Sequence, residues 1–463
     1  MRSACRMHVN TVFALVIGLY AGVVGSTPPA EAASVRARAA HMVTNRTGVA
    51  AHFGWTGSVY DVRYDEVKAA LEELGVRHVR EALGNTEACA RHLDLMTTLG
   101  VKMTLGIDVR TGTGASARLA PSGIQPELDR AASLLDPDAI LSIEGPNEYN
   151  MLEREFGYSG WASELRAFQS VLYSRVKAHP VLGTKPVLAP SLADPAQEDY
   201  HLRLGNLTSM TDRGNLHVYA GPRSIASKID ELVPFNALSN PEDTIWLSEV
   251  GYDMALNNGK QDVIDEYTYA KYAARGMVAF ATHPKVDRGY FYNLVDVAWD
   301  PTRVNTDAWY GMLDNRLNRR PHFYAVRNTM WVMCDNRLRF APQTLSYRLS
   351  GNLSDVRSSL YQKNNRAFYL LIWQEKQSYA QGQRVINPAR TITLTFEEGV
   401  NLVRTYLPSD PDSDLTQGHR PKRTVTAPVS IDLTVGDHLQ VVEIVPDGVP
   451  APTLPAQCRF TAF

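Results

Sequence analysis

Two apolar runs in this 463-residue chain each end in a glutamate. Ala139-Ile140-Leu141-Ser142-Ile143 follows Asp136-Pro137-Asp138 and runs into Glu144-Gly145-Pro146-Asn147-Glu148-Tyr149-Asn150. Thr244-Ile245-Trp246-Leu247-Ser248 runs into Glu249. A short apolar run that stops abruptly at charged and turn residues reads as a buried parallel strand entering an exposed loop. Carboxyl groups at two such strand ends are what cleavage of a glycosidic bond requires. One acid protonates the leaving oxygen, and one carboxylate attacks the sugar or activates water from the other face. A single glutamate at a loop start is ordinary surface chemistry; the pair, with Asn147 beside Glu148, is the signal.

The elements that must position this pair alternate between strand-like and helix-like from about residue 47 to residue 331. Strands are expected at 48–54, 76–80, 101–106, 139–143, 186–190, 215–219, 244–249 and 289–293. Helices are expected at 64–74, 87–99, 126–135, 161–178, 224–232, 263–282 and 321–332. Leu165, Phe168, Val171, Leu172 and Val176 recur at helical spacing in the longest of these, and Gly75 and Gly100 stand where helices stop. Eight strands over roughly 285 residues match a (β/α)8 TIM barrel, whose chemistry sits at the carboxyl ends of its strands. The two glutamates then belong to the fourth and seventh units. Beyond residue 335 the segments become short, alternating and turn-separated (356–362, 367–373, 391–397, 403–407, 430–435 and 439–445), the pattern of an antiparallel β-sandwich. The expected organisation is a signal peptide at 1–32, the barrel at 47–332, the sandwich at 335–448 with a strand drawn from 34–46, and a C-terminal tail at 449–463.

Asn147-Glu148 at the end of the fourth strand and Glu249 at the end of the seventh resemble the pattern of the clan A glycoside hydrolases, with glycoside hydrolase family 39 a similar member. The flanks Gly145-Pro146 and Tyr149-Asn150 differ from the Trp-Asn-Glu-Pro form more usual in that clan. The resemblance implies a TIM barrel and a retaining double displacement without a cofactor. It makes Glu148 the general acid/base and Glu249 the nucleophile, and Asn147 a ligand of the sugar 2-hydroxyl. Burial and the charge of Glu249 are expected to raise the pKa of Glu148. Arg80, at the end of the second strand, stands where clan members often carry an arginine that bonds the nucleophile; its bland alternative is an ion pair with Glu81. His217 and Tyr219 alternate at the end of the sixth strand and share a face, so both can point inward, with Tyr219 donating to Glu249. Tyr292, Asn293 and Trp299 lie at or beyond the eighth strand. Tyr292 and Trp299 are candidate sugar contacts, since aromatic faces stack on pyranose rings, although a tryptophan packs a loop equally well. His52 and Trp55 are weaker candidates at the first strand end. Glu144 is expected to pair inside the barrel with a residue such as Arg80. Asp108, Asp253 and Asp296 could bond sugar hydroxyls, and the 410–414 acidic cluster lacks an EF-hand frame.

Composition narrows the remaining classes. A formal net charge of -2 gives no electrostatic case for nucleic acid or an anionic membrane. Arg2 and Arg6, the apolar run Val12 to Val24 and Ala30-Glu31-Ala32 form a secretory signal pattern, so a secreted or periplasmic protein is expected, with no membrane anchor after cleavage. The mature chain keeps Cys89, Cys334 and Cys458. One bridge, Cys334 with Cys458, and three buried thiols are the two readings, and no pair has metal-ligand spacing. No phosphate loop, dinucleotide fingerprint or zinc motif occurs, so no cofactor and no metal are expected. The function expected is an exported retaining glycoside hydrolase acting on a polysaccharide or oligosaccharide. Rival readings are a noncatalytic carbohydrate-binding protein on the same scaffold, a transglycosylase using the same site, or a metal-assisted barrel hydrolase.

Overall fold

The computed structural model describes residues 33–241, 244–335 and 339–459. The signal-peptide expectation for 1–32 lies outside the described residues.

Eight parallel strands form the central sheet: β1 (Thr47–Ala50), β2 (His78–Ala82), β3 (Lys102–Gly106), β4 (Ile140–Glu144), β5 (Val187–Leu188), β6 (Gly214–Tyr219), β7 (Ile245–Gly251) and β8 (Val286–Phe291). β8 pairs in parallel with β1, and Leu188 bridges Arg213 just before β6, so the sheet closes into a barrel. This is the (β/α)8 fold that the alternation predicts. The helices follow the expected spacing closely, among them Tyr64–Leu74, Thr86–Leu99 and Trp161–Ala178. Tyr64–Leu74 stops at Gly75, whose φ of 77° is the left-handed turn that glycine adopts without strain. The helix expected at 224–232 runs on through Pro234 as Ile225–Ser239.

Side-chain hydrogen bonds between neighbouring strands and across the barrel mark its interior. Thr104 on β3 bonds both Ser142 on β4 and Tyr290 on β8, at 2.9 and 2.7 Å. Gly48 makes room for the Tyr290 ring: a Cβ there would stand 2.5 Å from it. This layer is a plug of packed side chains, and the polar groups described below sit above it, towards the strand ends.

Most of the remaining chain forms two packed, mainly antiparallel sheets. One contains Ala33–Arg36, Thr344–Gly351, Arg390–Phe396 and Ser430–Val435. The other is built on Val356–Gln362, Phe368–Gln374, Gln440–Pro446, Val400–Tyr406 and Arg423–Thr426, with Arg38–Ala39 at its edge. The segment before the barrel thus starts in the sandwich and then enters β1. Alternating residues such as Ile431, Leu433 and Val435 face the sandwich core. The two units are locked together by barrel side chains on sandwich carbonyls: Arg275 Nη1 donates to the carbonyls of Gln374, Lys376 and Asp437, and Asn328 Nδ2 to those of Pro408 and Leu415. Cys334 and Cys458 form a disulfide that pins the tail beside the last barrel helix, Pro321–Met333, and Cys89 is a free buried thiol.

Candidate active site

The site is built in two tiers at the carboxyl ends of the strands. The lower tier is a buried ion cluster. Glu144, the last residue of β4, is fully buried. It accepts from Arg80 Nε and Nη2, both at 2.9 Å, a planar fork that only arginine provides. Asn215 Nδ2 on β6 and Ser248 Oγ on β7 add donors to Glu144 Oε1, each at 3.0 Å. Arg80 turns its remaining edge upward, with Nη1 on Glu249 Oε1 at 2.6 Å and Nη2 on Asn147 Oδ1 at 2.7 Å. The surface pair of Arg80 with Glu81 does not form; Glu81 instead accepts from the backbone N–H groups of Phe53 and Ala82 at 2.6 and 2.9 Å.

The upper tier holds Glu148, His217, Tyr219 and Glu249. Two backbone irregularities put them there. After Glu144 the chain turns at Gly145, where a Cβ would lie 2.1 Å from Gln169 Oε1 and 3.1 Å from the Pro190 nitrogen, so only glycine fits. The turn ends with Glu148 at φ 44°, a left-handed conformation that a side chain adopts only when its surroundings hold it. Hydrogen bonds from the Glu148 N–H to Ser191, and from Asn147 N–H to Asp108 Oδ2 at 3.0 Å, do so. The second irregularity is a bulge in β7. Leu216 pairs with Leu247 and His217 with Glu249, so Ser248 is an extra residue in the ladder, and the same slip recurs against β8. Neighbouring residues of a regular strand point to opposite faces. The bulge lets consecutive Ser248 and Glu249 both face the barrel interior.

His217 joins the two outer carboxylates. Its Nδ1 lies 2.7 Å from Glu148 Oε1 and 3.4 Å from Glu249 Oε2, and its Nε2 lies 3.1 Å from Ser248 Oγ. Tyr219 Oη donates to Glu249 Oε2 at 2.6 Å. Burial opposes charge on the imidazole, but Glu249 and Glu148 overcome it and hold the His217 pKa above its ordinary value. For Glu148, burial favours the neutral acid, yet the hydrogen bond and charge of His217, with help from Arg80, bring the carboxyl below its ordinary value. This corrects the expectation of a raised Glu148 pKa, which took Glu249 as its nearest charged neighbour; the imidazole stands between them. A carboxylate oxygen of each glutamate and a ring nitrogen of His217 lie within 4.8 Å of one another, a spacing that would admit a cation. Those lone pairs are engaged by one another, by Tyr219 and by Arg80, so no ligand set is assigned to them.

Asn147 Oδ1 is taken by Arg80 and by Ser191 Oγ at 3.3 Å, which leaves its Nδ2 hydrogens as the ones available to a ligand. Tyr292 and Tyr219 meet edge-to-face at 6.3 Å between ring centroids, and Tyr310 packs on both, at 5.5 and 5.4 Å. His52 stacks on the exposed ring of Trp55 at 4.0 Å and meets Tyr292 edge-on. Burial lowers the His52 pKa to about 4, so this ring is neutral.

Eight sequence candidates thus divide clearly. Glu148, Glu249, Asn147, Arg80, His217, Tyr219 and Tyr292 come together. Trp299 does not: its ring lies under the Arg316 guanidinium at 3.8 Å and lines a separate hollow with Trp309, Asp296 and Arg320. Asp296 is held there by Arg320, away from the carboxylate cluster. Asp108 works indirectly, through the Asn147 backbone and Arg110, and Asp253 is occupied by Ala255 N and Asn258 Nδ2. Sequence reasoning missed Ser191, Asn215, Ser248 and Tyr310. Asn215 shares the period-two face of His217 and Tyr219 and was readable from them. Ser248 required the bulge, and Tyr310 lies in irregular chain with no periodic signal.

No protein-family model matches the sequence, and no curated protein matches it. Solved structures do share the fold. A GH39 enzyme from Xanthomonas axonopodis pv. citri superposes with a TM-score of 0.60 at 12% identity, over 89% of this chain and 96% of that one. A GH39 β-xylosidase from Caulobacter crescentus gives 0.56 at 12% identity, over 90% and 98%. A glucosidase from Croceicoccus marinus gives 0.56 at 12% identity, over 87% and 96%. The likeness covers 87–90% of this chain, and the fold of this chain is the one these structures share.

Proposed function

We propose that the protein is an exported retaining glycoside hydrolase, with Glu249 as nucleophile and Glu148 as acid/base. The observation that carries this reading is the pair itself: Glu148 on the turn after β4 and Glu249 on β7, with carboxylate oxygens within 4.8 Å of one another and His217 between them. Retaining enzymes place their carboxyl groups about 5–5.5 Å apart, whereas inverting ones need roughly 6.5–9.5 Å to fit a water. The common fold with GH39 enzymes supports the same reading, and the Cys334–Cys458 bridge fits an oxidising compartment.

In the first step Glu249 attacks the anomeric carbon while the acid/base pair protonates the departing oxygen, giving a glycosyl ester on Glu249. In the second, water attacks that carbon, its proton passes to Glu148, and Glu249 leaves. Arg80 and Tyr219 each bond one oxygen of Glu249 and so aim it for attack. Asn147 Nδ2 faces the position of a 2-hydroxyl, and its bond strengthens as positive charge grows on the ring. The sandwich acts as a buttress, since its contacts with the barrel are buried hydrogen bonds from Arg275 and Asn328.

The test is release of reducing ends from plant, fungal and bacterial polysaccharides, together with aryl xylosides and glucosides, by wild type and Glu249→Ala in parallel. Activity confined to wild type supports the proposal. Glycan binding by both proteins with turnover by neither overturns it in favour of a binding protein.

A further inference from the structure

Ser248 is fully buried between Glu144 and His217. Ser248 Oγ lies 3.0 Å from Glu144 Oε1 and 3.1 Å from His217 Nε2. A hydroxyl has one hydrogen, and a carboxylate accepts it more strongly than a neutral imidazole does. Ser248 therefore donates to Glu144 and can only accept from His217, which puts a hydrogen on Nε2. In a neutral ring Nδ1 is then a bare lone pair, 2.7 Å from Glu148 Oε1. Two acceptors do not sit at that distance without a hydrogen between them. From this we infer that Ser248 is a positioning residue that holds His217 in its Nε2–H form, so that His217 and Glu148 together keep the one proton the reaction transfers. The inference rests on the glycosidase reading above and specifies how its acid is loaded.

The consequences balance. When the glycosidic C–O bond breaks and the C–Oε bond to Glu249 forms, the shared proton leaves with the departing oxygen. The pair is left as a Glu148 carboxylate facing the Nδ1 lone pair. That repulsion makes it a stronger base, suited to taking the proton of the incoming water in the second step. The low position of the Glu148 carboxyl and the high position of the imidazole fit a proton resident largely on Nδ1 before substrate arrives. The other groups facing the pair are Glu249 on β7, Arg80 on β2, Arg154 on the helix Met151–Phe156, and the hydroxyls of Tyr219 and Tyr292. None of their side chains bonds the Ser248 hydroxyl, whose partners are Glu144 and His217. The β7 bulge is what delivers Ser248 to this place, so one extra residue supplies both the nucleophile's aim and the tautomer lock.

Two measurements test this. The first is nitrogen-15 NMR of the His217 ring, assigned by its loss in His217→Gln and followed across pH. It requires no turnover, so it stands even if no glycoside is ever cleaved. The expected result is that Nε2 stays protonated throughout and only Nδ1 titrates in wild type and Ser248→Thr, whereas Nε2 loses its hydrogen in Ser248→Ala. Titration of Nε2 in wild type overturns the inference. The second is the pH profile of kcat/KM. In Ser248→Ala a neutral Nδ1–H ring can satisfy an ionised Glu148, so the pair gives up its proton more easily and the basic limb moves down by about one pH unit or more; Ser248→Thr restores it. A uniform loss of rate with the limb unmoved would show a merely structural role and contradict the inference.

Discussion

Arg80 and Glu249 meet through a single 2.6 Å bond from Nη1, while the rest of the guanidinium is committed to Glu144 and Asn147. One cation thus sets the nucleophile's position relative to the asparagine beside the acid. Lysine cannot reproduce this, because an ammonium lacks the planar fork. Arg80→Lys is expected to lower kcat/KM by about 100-fold or more, the scale of a small misplacement of reacting groups. Arg80→Ala also leaves buried Glu144 without its cation and should cost about 3–5 kcal/mol in denaturant unfolding. Unchanged unfolding midpoints would show that the cluster does not bear on stability.

Tyr219→Phe removes only the hydroxyl that donates to Glu249 Oε2 at 2.6 Å. The ring contacts with Tyr292 and Tyr310 remain. We expect kcat to fall by about 10- to 100-fold, equivalent to roughly 1.4–2.7 kcal/mol of transition-state stabilisation, with the thermal midpoint nearly unchanged. A full-rate Tyr219→Phe enzyme would mean that Arg80 alone orients the nucleophile.

Glu81 offers a pH test separate from catalysis. Burial pushes its carboxyl up to about 8, against the backbone N–H groups of Ala82 and Phe53 and the charge of Arg80. Between the ordinary value of 4.5 and about 8 the folded protein therefore binds more protons at this site than the unfolded chain does. Stability must fall as pH rises through that window. Glu81→Gln keeps acceptors for the N–H groups without the ionisable proton and should flatten the slope. Parallel slopes in wild type and variant would reject the assignment.

The Cys334–Cys458 bridge closes a segment with a sequence separation of 124 residues and ties the tail to the barrel. Replacing both cysteines by serine should lower unfolding stability by about 2–5 kcal/mol. Because neither cysteine touches the carboxylate cluster, kcat/KM below the unfolding temperature should be unchanged.

The barrel was legible because its signals are local: apolar runs that stop at carboxylates, and helices that stop at Gly75 and Gly100. Glu148, Asn147, Glu249, His217 and Tyr219 were legible as candidates because each lies near or just past the carboxyl end of a strand, and those ends converge in a closed barrel. What the sequence hid depends on non-local geometry. The bulge that turns Ser248 inward is a slip of one strand against two neighbours. The imidazole between Glu148 and Glu249 reverses the pKa direction expected from the two carboxylates alone. Trp299 shows the opposite limit: an exposed tryptophan beyond the eighth strand looked like a sugar platform, but an arginine stacks on it and its loop faces a different hollow.

Double displacement requires that Glu249 form a covalent bond to the sugar. The direct measurement is intact-protein and peptide mass spectrometry after incubation with 2-deoxy-2-fluoro glycosides that carry a dinitrophenyl leaving group, matched to the sugar found in the substrate panel. We expect one label per chain, on the peptide containing Glu249, formed as activity disappears and absent in Glu249→Ala. Full inactivation with the label on another residue, or turnover of the matched glycoside with inversion of configuration, would contradict it.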